Sequence, residues 1–170
     1  MADKKKLWFS VGDKVVYPGY GVGIVQDIKE QVINEQNRTL IVLSFEELGN
    51  ASKVMIPMTN IGEVGLRKPA TKKGVKESLD FLSSGEPDIP SSWKDRFAVH
   101  TSMVAEGDLL SLAKVLKALW VLNQKKPLSF REKKLYQKVL LLFCSEVSLV
   151  EEMDREKVEE RCLKLLTGGK

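Results

Sequence analysis

Two periods of apolar spacing divide the chain. Up to about residue 65 the apolar residues come in short runs rich in valine, isoleucine and aromatic side chains, broken by glycine, proline and asparagine; such runs predict strands. Lys14-Val-Val-Tyr17 is followed by the turn cluster Pro18-Gly19-Tyr20-Gly21 and then by a second strand over Val22–Ile28. Asn34–Asn37 predicts the next turn, and Arg38–Phe45 is long and apolar enough to be a central strand. A turn at Gly49-Asn50 leads into Ser52-Lys-Val-Met-Ile-Pro57, and a short fifth strand is expected around Ile61–Leu66. Five short strands joined by tight turns suggest a small, strongly bent barrel.

Beyond Leu66 the apolar residues recur with helical spacing. A polar stretch over 67–74 reads as a linker, which divides the chain into a barrel domain at 1–66 and a helical domain at 75–170. The first helix is expected from about Lys72 to Leu82, and Ser83–Pro90 is a loop. Ser91-Ser92 are good caps for a helix that runs to Glu106, where Gly107 stops it. Asp108 can cap the next, Leu109–Gln124, which is apolar around most of its circumference and is therefore the expected centre of the bundle. Lys125-Lys126-Pro127 breaks that helix. Ser129-Phe-Arg-Glu132 has the spacing of a capping box opening a helix to about Val150, and a last helix, capped by Asp154, reaches Leu166 before Gly168-Gly169. The fold class is thus α+β: a small β-barrel followed by an all-α helical bundle.

Composition narrows the partners more than the fold. The 170 residues, 43% hydrophobic and 29% charged, suit two small globular domains. The longest uncharged apolar stretch, Val139–Ser145, is far short of the roughly 20 residues of a membrane span, and the Lys4-Lys5-Lys6 start lacks a signal-peptide core. A cytoplasmic protein without membrane contact is expected. The net charge of +4 is unevenly spread. Residues 1–65 carry 7 Lys+Arg against 8 Asp+Glu, residues 66–138 carry 15 against 8, and residues 139–170 carry 5 against 7. A basic middle beside a neutral start fits a chain in which one part meets nucleic acid and another meets a different partner. It fits equally a solvated basic face.

Catalytic and cofactor chemistry finds little support. Cys144 and Cys162 lack the spacing of a metal knuckle or redox motif and read as reduced core residues. His100 is the one histidine and has no nucleophile beside it in sequence. Gly19-Tyr-Gly-Val-Gly23 is too short for a dinucleotide fingerprint and lies between strands, not before a helix. Glu46-Glu47 and Glu151-Glu152 are neighbours in sequence without a recognisable acid/base partner. No catalytic residue, metal site or cofactor is expected.

Two features point instead to binding. Trp93 stands on the first turn of its helix beside Lys94 and near Arg96. If that helix start projects from the bundle, the indole can stack on a base or wedge into a distorted duplex. Alternatively Trp93, Phe97, His100 and Val104, all within one helical stripe, are simply buried together. Trp120 lies on the most apolar helix and reads as core, while Trp8 reads as cover for the barrel edge. Ser52–Pro57 has the lysine and proline of an edge strand, which either accepts a partner strand or is protected from pairing.

Val11-Gly-Asp-Lys-Val-Val-Tyr-Pro-Gly-Tyr-Gly-Val-Gly23, Val54-Met-Ile-Pro57, Pro90-Ser-Ser-Trp-Lys-Asp-Arg-Phe97, Trp120 and Leu128-Ser-Phe-Arg-Glu-Lys133 together resemble the CarD/CdnL family of bacterial transcription regulators, from about Phe9 to Leu166. The opening motif alone also resembles the polymerase-interacting domain of transcription-repair coupling factors. The resemblance implies a Tudor-like N-terminal domain that binds the RNA polymerase β subunit by its edge strand. It also implies a helical domain that sets a tryptophan into the minor groove of promoter DNA at the upstream fork of the bubble, stabilising the open complex. Carried over by motif, Trp93 matches the wedge, and Lys94, Arg96 and Lys133 fall at or near DNA-approaching positions. Lys53, Val54, Met55, Ile56 and Pro57 match the polymerase-binding strand. Asp95 and Ala98 stand where some members carry basic residues, and Met55 where some carry arginine. A monomer is expected. The alternative is a coupling-factor-like or ribosome-associated β-barrel module with an RNA-facing helical domain.

Overall fold

The computed structural model describes residues 7–47 and 50–168. Lys4–Lys6, Gly49 and Gly169, named above, lie outside them. The chain divides into two compact units, Met1–Lys68 and Pro69–Lys170.

The first unit is a curled antiparallel sheet of four strands in sequence order, β1 (Lys14–Tyr17), β2 (Gly21–Ile33), β3 (Gln36–Glu47) and β4 (Asn50–Pro57). The α+β division expected from the sequence is present, with a half-barrel preceding the helices. The β2–β3 hairpin is longer than expected because its turn is only two residues: Asn34 and Glu35 both take positive φ, 51° and 63°. That is the pattern of a type I′ connection, whose twist matches that of the strands. An irregularity in the β2–β3 register at Val25/Asp27 bends the sheet around its core of Val15, Val25, Ile41, Leu43, Phe45 and Ile56. Gly23 belongs to this packing, since a Cβ there would lie 2.7 Å from the Phe45 ring. Gly19 and Gly21 take positive φ, 82° and 96°, at the turn between β1 and β2.

The expected fifth strand is absent. Residues 58–64 form a 3-10 turn, Met58–Asn60, and a single helical turn, α1 (Ile61–Val64). Ile61 and Val64, three apart, both face the barrel core, an arrangement that one helical turn satisfies and a strand would not. Pairing resumes only at Arg67, whose N–H and C=O exchange hydrogen bonds of 3.0 and 2.8 Å with Val16. Arg67, expected to open a linker, is thus tied to β1.

The second unit contains α2 (Lys72–Ser84), α3 (Trp93–Glu106), α4 (Leu109–Lys125), α5 (Phe130–Glu151) and α6 (Arg155–Leu166). Lys72–Gly74, also assigned to the linker, open α2, because the Thr71 hydroxyl accepts the Gly74 N–H at 3.1 Å. As expected, α4 is the centre, with Leu109, Leu112, Ala113, Val115, Leu116 and Leu119 buried among the other helices. Trp120 packs half-buried against that core. Asp108 caps α4 through Ser111 N–H at 3.0 Å. Gly107 ends α3 in the left-handed region, at φ 72°, where a side chain would be strained. Asp154 occupies the cap position of α6 without bonding its backbone; its carboxylate lies 3.4 Å from Lys157 instead. Likewise Ser92 occupies the cap position of α3 but makes no side-chain cap bond.

Lys117 and Glu146 are buried polar side chains that no sequence pattern marks. Lys117 donates to the carbonyls of Leu82 and Ser83 at 2.6 and 3.3 Å, satisfying the C-terminal end of α2, where a cation also opposes the helix dipole. Glu146 accepts the N–H of Ala70 at 2.8 Å, which ties the segment before α2 onto α5. Cys144 and Cys162 are buried and free, as expected, yet α5 and α6 bring their sulfurs to 4.0 Å.

Candidate nucleic-acid interface

The α3 stripe of Trp93, Phe97, His100 and Val104 divides. His100 and Val104 are buried and Phe97 is half-buried, but Trp93, one turn above Phe97, keeps 42% of its surface exposed. The two rings are stacked, with centroids 6.0 Å apart and planes 17° from parallel. Phe97 therefore acts as a shelf that fixes the indole plane while leaving much of the indole in solvent.

Arg96 holds the start of α3 in place. Its Nη1 donates to the carbonyls of Ser91 at 2.8 Å and Pro90 at 3.3 Å, and its Nη2 lies 3.8 Å from Glu132 Oε1. The side chain is only 17% exposed. Arg96, a candidate DNA contact, turns Nη1 and Nη2 toward the protein, while its buried Nε has no hydrogen-bond partner among the described residues.

Glu132 is the hub of this corner. The predicted capping box is formed: Ser129 N–H donates to Glu132 Oε2 at 2.9 Å, and Glu132 N–H donates to Ser129 Oγ at 3.3 Å. The Ser129 hydroxyl donates to the same carboxylate at 2.7 Å. Burial alone would raise the Glu132 pKa, but the Ser129 bonds and Arg96 hold it below its ordinary 4.5. His100 is depressed below 6.5, first by burial and then by the Arg96 charge, with Glu132 opposing. Both shifts have the same consequence. The unfolded chain binds these protons more readily, so the stability they support is present above about pH 6.5 and is lost as pH falls, first through the His100 range and then below 4.5. Thermal melts between pH 7.5 and 5 should show this decline, and His100→Gln should flatten the upper part; an unchanged slope in that variant would contradict the assignment.

Between the start of α3, the end of α4 and the start of α5 lies an open hollow of about 420 Å³. Trp93 and Arg96 line it from α3, Leu122 and Lys125 from α4, residues 126–128 from the loop, and Ser129 and Glu132 from the capping box. Lys94, Lys125, Lys126, Arg131, Lys133 and Lys134 are exposed, against Asp95 as the one exposed carboxylate in segments 91–98 and 125–134. Phe130, directly after Ser129, is 72% exposed, and Lys134 Nζ sits 4.6 Å from its ring centroid. In the sequence, Lys125-Lys126-Pro127 is a helix break and Ser129–Glu132 a cap. Their proximity to Trp93 follows from the antiparallel return of α5 along α4, which spacing within one segment does not encode.

The polymerase-strand candidates also divide. β4 is an end strand of the sheet, and its register with β3, Leu43↔Val54 and Ile41↔Ile56, aligns Val54 and Ile56 with inward-facing residues. Ile56 is 3% exposed and Val54 packs against the same core. Lys53 and Met55 are exposed and Pro57 is half-buried. Trp8 stands edge-on to Phe9, with Lys68 Nζ 6.0 Å from its ring.

Among the described residues no group of three or more His, Cys, Asp or Glu could hold a metal ion, and no helix is long and apolar enough to cross a membrane. Residues 9–70 match the model of the CarD-like/TRCF RID domain, and residues 77–162 match that of the CarD C-terminal domain. The chain is also similar to the Bacillus subtilis (strain 168) protein named "Putative transcription factor YdeB", with 26% identity over 151 residues, 89% of this chain and 97% of that one. With both halves matched in order over the half-barrel and the helices, the chain belongs to the CarD/CdnL family.

Proposed function

We propose that this chain is a non-enzymatic transcription regulator that binds the RNA polymerase β subunit through β4 and stabilises melted promoter DNA through Trp93. The observation that carries the reading is the exposed indole at the first residue of α3, braced by Phe97 and set among exposed lysines. Cations supply sequence-independent attraction to phosphate, and an aromatic face supplies a contact that every base can make. Docking on polymerase makes the DNA contact effectively intramolecular, so weak intrinsic DNA affinity suffices. Lys94 and Lys133, both exposed, act on the DNA backbone, while Arg96 positions Trp93. The CarD C-terminal match over 77–162 favours this reading over a coupling-factor-like or RNA-facing module. The test is open-complex lifetime with purified polymerase, comparing wild type with Trp93→Ala.

On the polymerase side, β4 contributes its free edge through the main chain and Lys53 and Met55 through side chains. Lys53→Glu with Met55→Glu should weaken pull-down of the isolated β lobe about tenfold or more without altering the melting temperature. Undiminished capture would refute the edge-strand docking. Ile56→Ala instead removes buried barrel packing and should cost about 2–4 kcal/mol of stability.

A further inference from the structure

A wedging indole needs an exposed edge, but it does not need a cavity beside it. Here Trp93 lines a hollow of about 420 Å³, within the roughly 300–1,000 Å³ range of clefts that hold small ligands. Leu122, Pro127 and Leu128 add apolar surface to its lining, and Lys125 and Lys126 line it while remaining exposed. The Glu132 carboxylate in the wall is engaged by Ser129 and faces Arg96, so it is locally neutralised. An aromatic ring, apolar surface and two adjacent cations together match one chemical unit, a nucleotide with its base unstacked. An aliphatic side chain from a protein partner would leave both lysines without an anion, and a free phosphate would leave the indole uncovered.

We propose that this hollow takes one unpaired nucleotide of melted DNA, its base against Trp93 and its phosphate at Lys125 and Lys126. The inference rests on the reading of Trp93 as a contact to melted promoter DNA and adds a capture step to it: the chain holds the strand apart by occupying one of its bases as well as by filling the fork. Because all bases present an aromatic face, capture is tolerant of sequence.

The test uses the full chain and forked duplexes labelled far from the junction, followed by fluorescence anisotropy. Three forks are compared: one intact, one abasic at the first unpaired nucleotide, and one with a methylphosphonate at that nucleotide. Wild type should bind the abasic fork about tenfold more weakly than the intact one, the scale of one stacking contact. Leu122→Trp, which fills the hollow, should bind intact and abasic forks equally. The Lys125→Ala/Lys126→Ala variant, altered only at exposed positions, should lose sensitivity to the methylphosphonate that wild type shows. Equal binding of wild type to all three forks overturns the capture. If Trp93→Ala still shortens open-complex lifetime in that case, the wedge stands without capture; if it does not, the underlying reading falls too.

Discussion

Replacing Trp93 by alanine shortens the lifetime of the open promoter complex by about tenfold to a hundredfold while capture of the polymerase β lobe is unchanged. The magnitude follows from one aromatic contact of roughly 1–3 kcal/mol made in the open state and absent from the closed one, at about 1.4 kcal/mol per decade. Only a contact that differs between the two states can shift their balance. Loss of fold does not account for such an effect. Trp93 is 42% exposed and stands at the first residue of α3, so its removal gives up one face of the Phe97 stack and little core. Substitutions of this kind typically change stability by about half a kcal/mol or less. Trp93→Phe should retain part of the lifetime because a smaller ring still stacks. A normal open-complex lifetime in a folded Trp93→Ala protein would remove the central support for the proposed function.

The sequence made the two-part architecture legible because period-2 and period-3.6 patterns occupy different halves of the chain. Capping chemistry was legible at Asp108 and at Ser129 with Glu132, but not at Thr71, whose hydroxyl accepts the Gly74 N–H with the same three-residue spacing inside a polar stretch that resembles a linker. It failed at Ser92 and Asp154, where the cap residue is present but its side chain makes no backbone bond. The apolar content of residues 61–66 suggests a strand; the spacing of Ile61 and Val64 is the sign of a helical turn. Contacts between distant segments were the least legible. Arg96 meets Glu132 only because α3 and α5 pack together, and Lys117 meets the end of α2 across 35 residues of chain. The exposure of Trp93 belongs to the same class: helical spacing put it in line with His100 and Val104, and only the packed neighbours determine how far up the helix burial extends.

Arg96→Ala is expected to be the most destabilising of the changes considered in the helical unit, at about 3 kcal/mol. Three interactions disappear together: the bonds to the Ser91 and Pro90 carbonyls and the pairing with Glu132, whose side chain is 8% exposed. Removing one partner of a buried ion pair costs roughly 3–5 kcal/mol because the remaining charge is left in the interior, and the partial exposure of Arg96 places this case at the lower end. With about 4–8 °C per kcal/mol for units near 100 residues, the melting temperature of the helical unit should fall by more than ten degrees. Glu132→Gln provides the discriminating background. Glutamine still completes the capping box but carries no charge, so in its presence Arg96→Ala should cost less by about 1–2 kcal/mol. A phosphate-binding arginine behaves oppositely: its loss weakens DNA contact in a salt-dependent way and leaves the melting temperature nearly unchanged. Melting of the four proteins of this cycle therefore separates an arginine that positions Trp93 from one that grips DNA, and an unaltered melting temperature in Arg96→Ala would return Arg96 to the second role.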